Sequence, residues 1–244
     1  MLNPSFYPAI FERKSIRKWG NQPLNPEQLA KIKAEIEAVT PLLSNETFTL
    51  ELGQSKEGWR IYGYCENKPL SNVNLGYVMQ QLDLALHLQG LGRLWFGFGR
   101  EPRDSRPPKG LSYAMCLKIG ISAEPLARES HKEFERRETI TDNETLAKLL
   151  EPARLATSAM NSQPWWFSAD GEMIHVWRKK LGLKKLILER MNLIDMGIAL
   201  CHAVLALEHS EKTCAVQVSA PTTDVDGYEY LLTLQTPKGT TIGT

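Results

Sequence analysis

The chain repeats its own order of segments at a spacing of about 120 residues. The segment FERKSI from Phe11 is matched by FERRETI from Phe134, and EQLAKI from Glu27 is matched by ETLAKL from Glu144. Solenoid repeats are far shorter, at roughly 20 to 50 residues per unit. The sequence therefore predicts a duplicated α+β unit. Chance matching of short helical segments is the alternative, which the shared order of segments disfavours.

Each half continues with a predicted hairpin, a helix and a final strand. The hairpins are FTLEL with WRIYGYC in the first half and WFSAD with MIHVW in the second, each joined through a glycine-containing turn. The helices NLGYVMQQLDLALHLQG and DMGIALCHAVLALEHSE are apolar on most faces, as buried helices are, and place Gly76 and Gly197 in matching positions. The closing strands are YAMCLKIG from Tyr113 and YEYLLTLQ from Tyr228.

Two such halves predict an intramolecular pseudo-dimer, in which residues 1–130 and 131–244 are related by an approximate two-fold axis. A true dimer of this kind has two equivalent clefts between its subunits. Within one chain, the two clefts are free to diverge. We therefore expect the functional site in a cleft between the halves.

Composition excludes several classes of function. The 29 basic and 28 acidic residues leave a formal charge of +1, too little for non-specific binding of nucleic acid or an anionic membrane. The segment MLNPSFYPAI lacks the features of a signal peptide, and no uncharged apolar stretch reaches the roughly 18 residues of a spanning helix, so a cytoplasmic protein is expected. The four cysteines stand singly, which favours buried thiols and predicts no metal site.

The amino-terminal segment ERKSIRKW crowds basic side chains around a hydroxyl. Arg13, Lys14 and Arg17 flank Ser15, and this pattern suits a bound phosphate because arginine gives a planar fork of donors and serine adds one short hydrogen bond. A solvated helix face is the alternative for a basic run of this length.

Three segments together carry a resemblance to a known family. ERKSIRKW, the later segment ARLATSAMNSQPWWF and the helix-to-strand segment LALHLQGLGRLWFG from Leu84 are similar to the three motifs of the FMN-dependent nitroreductases. With the order of elements, this resemblance covers nearly the whole chain. The internal duplication resembles the pseudo-dimer branch of that family, the TM nitroreductase group. The family implies a three-layer α+β fold and FMN as cofactor.

The usual family member is a homodimer with one FMN in each of two interface clefts. Here the first half keeps the basic segment and the second half keeps ATSAMNSQPWWF, while their counterparts, RRETITD and AVTPLLSNETF, have lost the motif residues. The resemblance therefore implies one complete cleft, one FMN per chain and a monomer acting as a pseudo-dimer. Thr157 stands where the family usually has proline, which puts the rigidity of that loop in question.

The resemblance also implies a set of FMN contacts from both halves. Arg13, Lys14 and Ser15 would hold the phosphate and ribityl chain, and Arg17 would lie nearer the ring. Gly97 matches the place where family members bring a backbone N–H to flavin N5. The other implied cofactor-binding residues are in the second half. Thr157, Ser158 and Ala159 would allow close backbone approach, Asn161 would bond a ring edge or a ribityl hydroxyl, and Gln163 would do the same or brace the loop. Arg136 and Arg137 would bind the phosphate or form a solvated helix cap.

No catalytic side chain is expected, because the cofactor carries the reaction. The implied activity is ping-pong electron transfer from NAD(P)H, through FMN, to a small-molecule acceptor such as a nitroaromatic or a quinone. The alternatives are a flavin-binding or storage protein without turnover and a dehalogenating or flavin-cleaving branch of the family. Trp165 and Trp166 are expected to start a strand and fill the core. Asp195 and His202 share a helix, but a catalytic pair is rejected for lack of a nucleophile. His87 and His202 are instead expected on helices at the packing surface between the halves.

Overall fold

The computed structural model describes residues 1–96, 107–130, 137–182, 185–218 and 221–237. In these residues, six α-helices and two four-stranded antiparallel sheets form. The helices are α1 (Phe6–Glu12), α2 (Pro26–Ala38), α3 (Pro69–Leu88), α4 (Glu144–Leu149), α5 (Glu151–Arg154) and α6 (Lys185–His209). The strands are β1 (Phe48–Ser55), β2 (Gly58–Cys65), β3 (Gly92–Phe96), β4 (Ser112–Gly120), β5 (Trp165–Asp170), β6 (Met173–Lys179), β7 (Ala215–Gln217) and β8 (Tyr228–Gln235).

The helices of the matching segments EQLAKI and ETLAKL both begin after an asparagine N-cap. The side chain of Asn25 accepts the N–H of Gln28 at 2.8 Å before α2, and the Gln28 side chain accepts the N–H of Asn25 at 2.9 Å. Before α4, the side chain of Asn143 accepts the N–H of Leu146 at 2.8 Å. Both asparagines thus satisfy a backbone donor that the first helical turn leaves without a partner.

The two sheets have the same strand order. The first runs β1-β2-β4-β3 and the second runs β5-β6-β8-β7. The register shifts between Gly63 and Tyr64 where β2 pairs with β4, and between Val176 and Trp177 where β6 pairs with β8. This likeness supports the predicted duplication, whose half-unit boundary at residue 130 stays a prediction.

The central helices α3 and α6 cross at the two glycines that the sequence comparison paired. Gly76 lies on α3 and Gly197 lies on α6, and each approaches the backbone of the other helix. Glycine is required at such a contact because a Cβ atom would occupy the space of the facing backbone. The predicted buried character of both helices is confirmed, since every residue of α3 from Ser71 to His87 and every residue of α6 from Met191 to Leu207 is buried.

One hydrophobic cluster unites residues of both sheets and both central helices, including Ile61, Val78, Phe167 and Ile194. The arrangement is the predicted three-layer α+β fold, in which helices and sheets bury one another's apolar faces. In the described residues, the stretch Leu188–His209 is apolar and long enough to span a membrane, but 94% of its most apolar window is buried inside the protein. That burial is typical of the core helix of a soluble protein.

Three of the four cysteines are the buried thiols that the sequence predicts: Cys65, Cys116 and Cys201. The fourth, Cys214, is half-buried. Burial raises the pKa of the Cys65 and Cys214 thiols to about 11, which keeps both in the unreactive thiol form at neutral pH.

Candidate functional site

The basic segment after α1 is extended backbone fixed against the first sheet. The N–H of Ile16 donates to the carbonyl of Arg93 at 3.0 Å, and the N–H of Gly20 donates to the carbonyl of Ile121 at 2.8 Å. The carbonyl of Lys18 accepts the N–H of Ala123 at 3.0 Å. A solvated helix face is therefore excluded for this segment, because its backbone pairs with neighbouring strands rather than with itself.

The segment forms one wall of a cavity of about 390 Å³. Five of the lining residues are cationic and two are carboxylates, so the cavity is positively charged and attracts an anion. Hydroxyl groups of both halves add neutral donors. The lining residues are Arg13, Lys14, Ser15, Arg17, Glu124, Arg128, Glu129, Ser130, Arg137 and Thr157.

The guanidinium groups in this cavity repel one another. Burial, followed by the nearby charges of Arg13 and Arg137, lowers the pKa of Arg128 to about 10. Burial and the charges of Arg13 and Arg154 also lower the pKa of Arg137. A set of like charges that are partly shielded from water is stabilised by an anion placed among them, so the donor set fits a phosphate group.

Arg13 belongs to a buried ion-pair network as well as to the cavity wall. Its Nε lies 2.9 Å from Oδ2 of Asp83, whose Oδ1 lies 3.3 Å from Nε of Arg93. The side chains of Asp83 and Arg93 are fully buried, and that of Arg13 is 4% exposed. Asp83 therefore holds the guanidinium group of Arg13 in place. The Nε donor of Arg13 faces the protein interior rather than the cavity.

Glu124 restrains the other side of the basic segment. Its Oε1 accepts the backbone N–H groups of Arg17 and Lys18 at 2.6 and 2.8 Å, and these bonds lower its pKa. The Nζ of Lys14 lies 3.5 Å from Oε2 of the same carboxylate. The side chain of Arg17 is exposed, at the junction with a second cavity.

The second cavity, of about 270 Å³, adjoins the first and shares Ser15, Arg17 and Thr157 with it. Its walls are mainly apolar and come from both halves, which suits a flat aromatic ring. The remaining lining residues are Leu94, Trp95, Met115, Ser158, Ala159, Met160, Met191, Asp195 and Ile198. We refer to the two as the cationic cavity and the ring cavity.

The loop from Ala156 to Gln163 has an unusual backbone. Met160, Asn161 and Gln163 have φ values of 53°, 54° and 42°, in the left-handed region that non-glycine residues seldom occupy. Such strain persists only where surrounding contacts hold it, and it is frequent at functional sites. The side chain of Ser158 holds the end of the loop by accepting the N–H of Gln163 at 3.1 Å.

The predicted amide residues brace this loop. Nη1 of Arg137 donates to Oδ1 of Asn161 at 3.0 Å and to the carbonyl of Ala156 at 2.9 Å. The buried side chain of Gln163 accepts the N–H of Glu138 at 3.0 Å. Neither amide residue belongs to the lining of the two cavities, whereas Thr157 belongs to both and Ser158 and Ala159 belong to the ring cavity.

Two predicted contacts, Gly97 and Arg136, lie outside the described residues. β3, Gly92–Phe96, is the described strand that precedes Gly97 in the sequence. Trp165 and Trp166 begin β5 as predicted. The first is buried in the core, and the ring of the second lies 5.7 Å from that of Tyr228.

Asp195 and His202 do not act as a pair, since their side chains have different partners. His202 contacts the carbonyl of Pro152 at 2.8 Å and the side chain of Gln80 at 3.0 Å, and burial lowers its pKa to about 4. His202 therefore packs between the two central helices, as expected. His87, for which the same place is expected, instead contacts Arg93 at 3.0 Å.

Arg128 and Asp83 are not among the residues that the sequence singles out, and Asp195 is considered there only as a catalytic partner of His202. Arg128 follows β4, the last strand of the first half, in the same region after that strand where the resemblance implies Arg136 and Arg137. Asp83 and Asp195 each stand in a largely apolar helix. A carboxylate buried with such a helix requires a cation or hydrogen-bond donors from elsewhere in the fold. An acidic residue in an apolar helix is therefore the sequence feature that indicates such partners.

Comparisons with known proteins give a family and a similar fold. A family model described as "Putative TM nitroreductase" matches residues 5–207. A protein from Thermotoga maritima, described as a "putative nitroreductase", has a similar fold, with 21% identity and a TM-score of 0.67 over 94% of this chain and 93% of its own. An FMN-dependent nitroreductase from Clostridium difficile R20291 has 14% identity and a TM-score of 0.43 over 51% of this chain and 95% of its own. Among curated proteins, none matches this chain.

Proposed function

We propose that this chain, which belongs to the family described as "Putative TM nitroreductase", is an FMN-dependent oxidoreductase that passes electrons from NAD(P)H to a small acceptor such as a nitroaromatic or a quinone. The observation that carries this proposal is the pair of adjoining cavities, one cationic and one mainly apolar, which share Ser15, Arg17 and Thr157. FMN has a phosphate at one end and an aromatic ring at the other, so its two ends match the two cavities.

The cationic cavity would hold the phosphate. Arg128 and Arg137 bring half-buried positive charge to it from different segments, and Ser15 and Thr157 add hydroxyl donors. Arg13 contributes to the same wall while Asp83 fixes its orientation. Charge-assisted hydrogen bonds to phosphate are the strongest that such side chains form.

The ring cavity would hold the flavin ring against Trp95 and Met115 of the first half and Met191 and Ile198 of α6. When bound, FMN supplies the atom that accepts and returns hydride. The chain's own residues bind and orient the ring and exclude water from it. Arg17, at the junction of the cavities, would favour negative charge on the ring by the same rule that lowers the pKa of an acid beside a cation.

The proposal includes one FMN per chain in a monomeric, cytoplasmic protein. Both halves of the chain line both cavities, since the first half contributes Ser15 and Arg17 and the second contributes Thr157. The preference between NADH and NADPH and the identity of the acceptor are left open. Flavin extraction should give near one FMN per chain, and light scattering of dilute protein should report a monomer.

Anaerobic mixing of the flavin-loaded protein with NADH and with NADPH tests the activity. We expect the flavin absorbance band to bleach with at least one donor, and a quinone added afterwards to restore it. Flavin that binds but keeps its colour with both donors would indicate a binding protein without turnover. Failure of the protein to bind FMN would refute the proposal as a whole.

A further inference from the structure

Asp195 of α6 lies in the wall of the ring cavity and is 3% exposed. Both of its carboxylate oxygens lie 3.1 Å from the backbone nitrogen of Ala159, and its Oδ2 also accepts from Oγ of Ser162 at 3.4 Å. The amide nitrogen of Asn192 donates to the same Oδ2 at 3.3 Å. Asp195 therefore anchors the strained loop that closes one side of the cavity.

In the first half, an uncharged residue, Asn74, anchors a loop from the matching position on the central helix. Asn74 stands two residues before Gly76 on α3, as Asp195 stands two residues before Gly197 on α6. The Oδ1 of Asn74 accepts the backbone N–H groups of Leu42 and Leu43 at 2.9 and 3.0 Å. An amide oxygen is thus sufficient to hold a loop at this position, so the carboxylate of Asp195 has a property that anchoring alone does not require.

Asp195 has hydrogen-bond donors but no ion-pair partner among the described residues. Among the described residues lining the ring cavity, Arg17 is the one cation and Asp195 is the one carboxylate. The strands β3 and β4 contribute uncharged side chains, the loop contributes Thr157 to Met160, and the neighbours on α6 are uncharged. Burial raises the pKa of Asp195 to about 7, and the hydrogen bonds from Ala159, Asn192 and Ser162 oppose that rise.

We propose that Asp195 is a proton-linked binding residue of the ring cavity, which takes up a proton from solvent when an uncharged aromatic ring fills the cavity. The inference rests on the proposed function for the identity of that ring, the flavin. A bound ring removes water from the carboxylate, and desolvation disfavours the charged form. The protonated carboxyl loses less on desolvation and gains an O–H donor for the ring.

The proposal fixes a direction for the pH dependence. Below neutral pH, Asp195 is already protonated and ring binding requires no proton. Above neutral pH, each binding event must also take up a proton, so the affinity falls by up to tenfold for each pH unit. The affinity of a phosphate-free flavin should therefore decrease as pH rises through neutrality.

Riboflavin is the probe, because the phosphate of FMN titrates near pH 6 and would obscure the effect. Riboflavin is titrated into stripped protein by fluorescence quenching between about pH 6 and about pH 8.5. We expect the Kd of the wild-type protein to rise at least tenfold across this range. The Kd of Asp195→Asn should change less than twofold, since the amide keeps the anchor, as Asn74 does, but cannot titrate.

Asp170→Asn is the matched control, since Asp170 is an exposed carboxylate at the end of β5. It should keep the pH dependence of the wild-type protein. A Kd that does not change with pH in the wild-type protein, or an unchanged pH dependence in Asp195→Asn, would overturn the inference and leave the proposed function standing. Absence of binding by both riboflavin and FMN at every pH would overturn the two together.

A second measurement keeps the inference testable if Asp195→Asn does not fold. Calorimetric titration of wild-type protein with riboflavin, in two buffers of different ionisation enthalpy, gives the number of protons taken up. We expect a value approaching one at about pH 8 and near zero at about pH 5.5, on either side of the pKa of a carboxyl at about 7. No uptake at the higher pH would overturn the inference without any variant.

Discussion

Gly197 of α6 lies directly against Gly76 of α3, since a Cβ atom at Gly197 would be 2.9 Å from the Cα of Gly76. The same Cβ would be 2.0 Å from the carbonyl oxygen of Val73, and one at Gly76 would be 2.1 Å from that of Ile194. These distances are far below van der Waals contact, and the atoms met are backbone. The two central helices can therefore cross this closely only because both positions are glycine.

Gly76→Ala and Gly197→Ala should each lower the free energy of unfolding by roughly 2 to 4 kcal/mol, because the helices must move apart or the backbone must bend. Denaturant unfolding followed by circular dichroism measures the loss. Gly171→Ala is the control: a Cβ there meets nothing within 4 Å, and its φ of 57° costs only local strain. Equal losses at Gly171 and Gly197 would contradict the close crossing.

Arg13→Ala should destabilise the fold as well as the site. It leaves the fully buried carboxylate of Asp83 with Arg93 as its remaining cation, and breaking a buried pair costs roughly 3 to 5 kcal/mol. The loss of unfolding free energy should lie at the lower end of this range because Asp83 keeps its ion pair with Arg93. Lys14→Ala, which removes a partly exposed pair with Glu124, should cost about 1 kcal/mol or less. Urea unfolding compares the two, and a similar loss in both would show that Asp83 does not depend on Arg13.

Arg128→Ala should weaken the binding of FMN by roughly 1.5 to 3 kcal/mol, the scale of a charge-assisted hydrogen bond. The affinity for riboflavin, which has no phosphate, should not change. Fluorescence quenching measures both ligands on stripped protein, with Lys180→Ala as an exposed control that should leave both affinities unchanged. Equal weakening of FMN and riboflavin would mean that Arg128 does not face the phosphate.

The stability of the ligand-free protein should fall as pH rises through neutrality because of Asp195. Its folded-state pKa, about 7, lies above the ordinary value, so the folded state binds the extra proton. The associated stability is fully present below about pH 4 and is lost as pH rises through about 7. The free energy of unfolding of Asp195→Asn should therefore exceed that of the wild-type protein by roughly 2 to 4 kcal/mol at about pH 8, with a smaller difference at about pH 5. Thermal unfolding across pH measures the difference, and a constant difference would contradict the assignment.

The repeat carried most of the fold prediction. The paired helical segments EQLAKI and ETLAKL, the two hairpins and the matching glycines all follow from periodicity and turn residues, which act over a few neighbouring positions. Local rules of this kind are readable in a sequence. They also placed the basic segment and the loop at Thr157 among the candidate residues, with the help of the family resemblance.

The site itself was only partly predictable, because its chemistry depends on residues distant in sequence. Asn161 is expected to face a ligand, yet its side chain accepts from Arg137. For Gln163, a ligand contact and a bracing role are both open from the sequence, and its side chain accepts from the backbone of Glu138. A single amide can satisfy a ligand or the protein, and only the tertiary neighbours decide which.

By itself the sequence determined the α+β class, the order of the elements and the family, because these depend on local patterns and motif residues. The tertiary structure decided which charges are buried together. Asp83 meets Arg13 across 70 positions, and Asp195 meets Ala159 across 36. The pKa of a carboxyl depends on burial and on donors brought to it by the whole fold, and neither quantity is present in the order of residues along the chain.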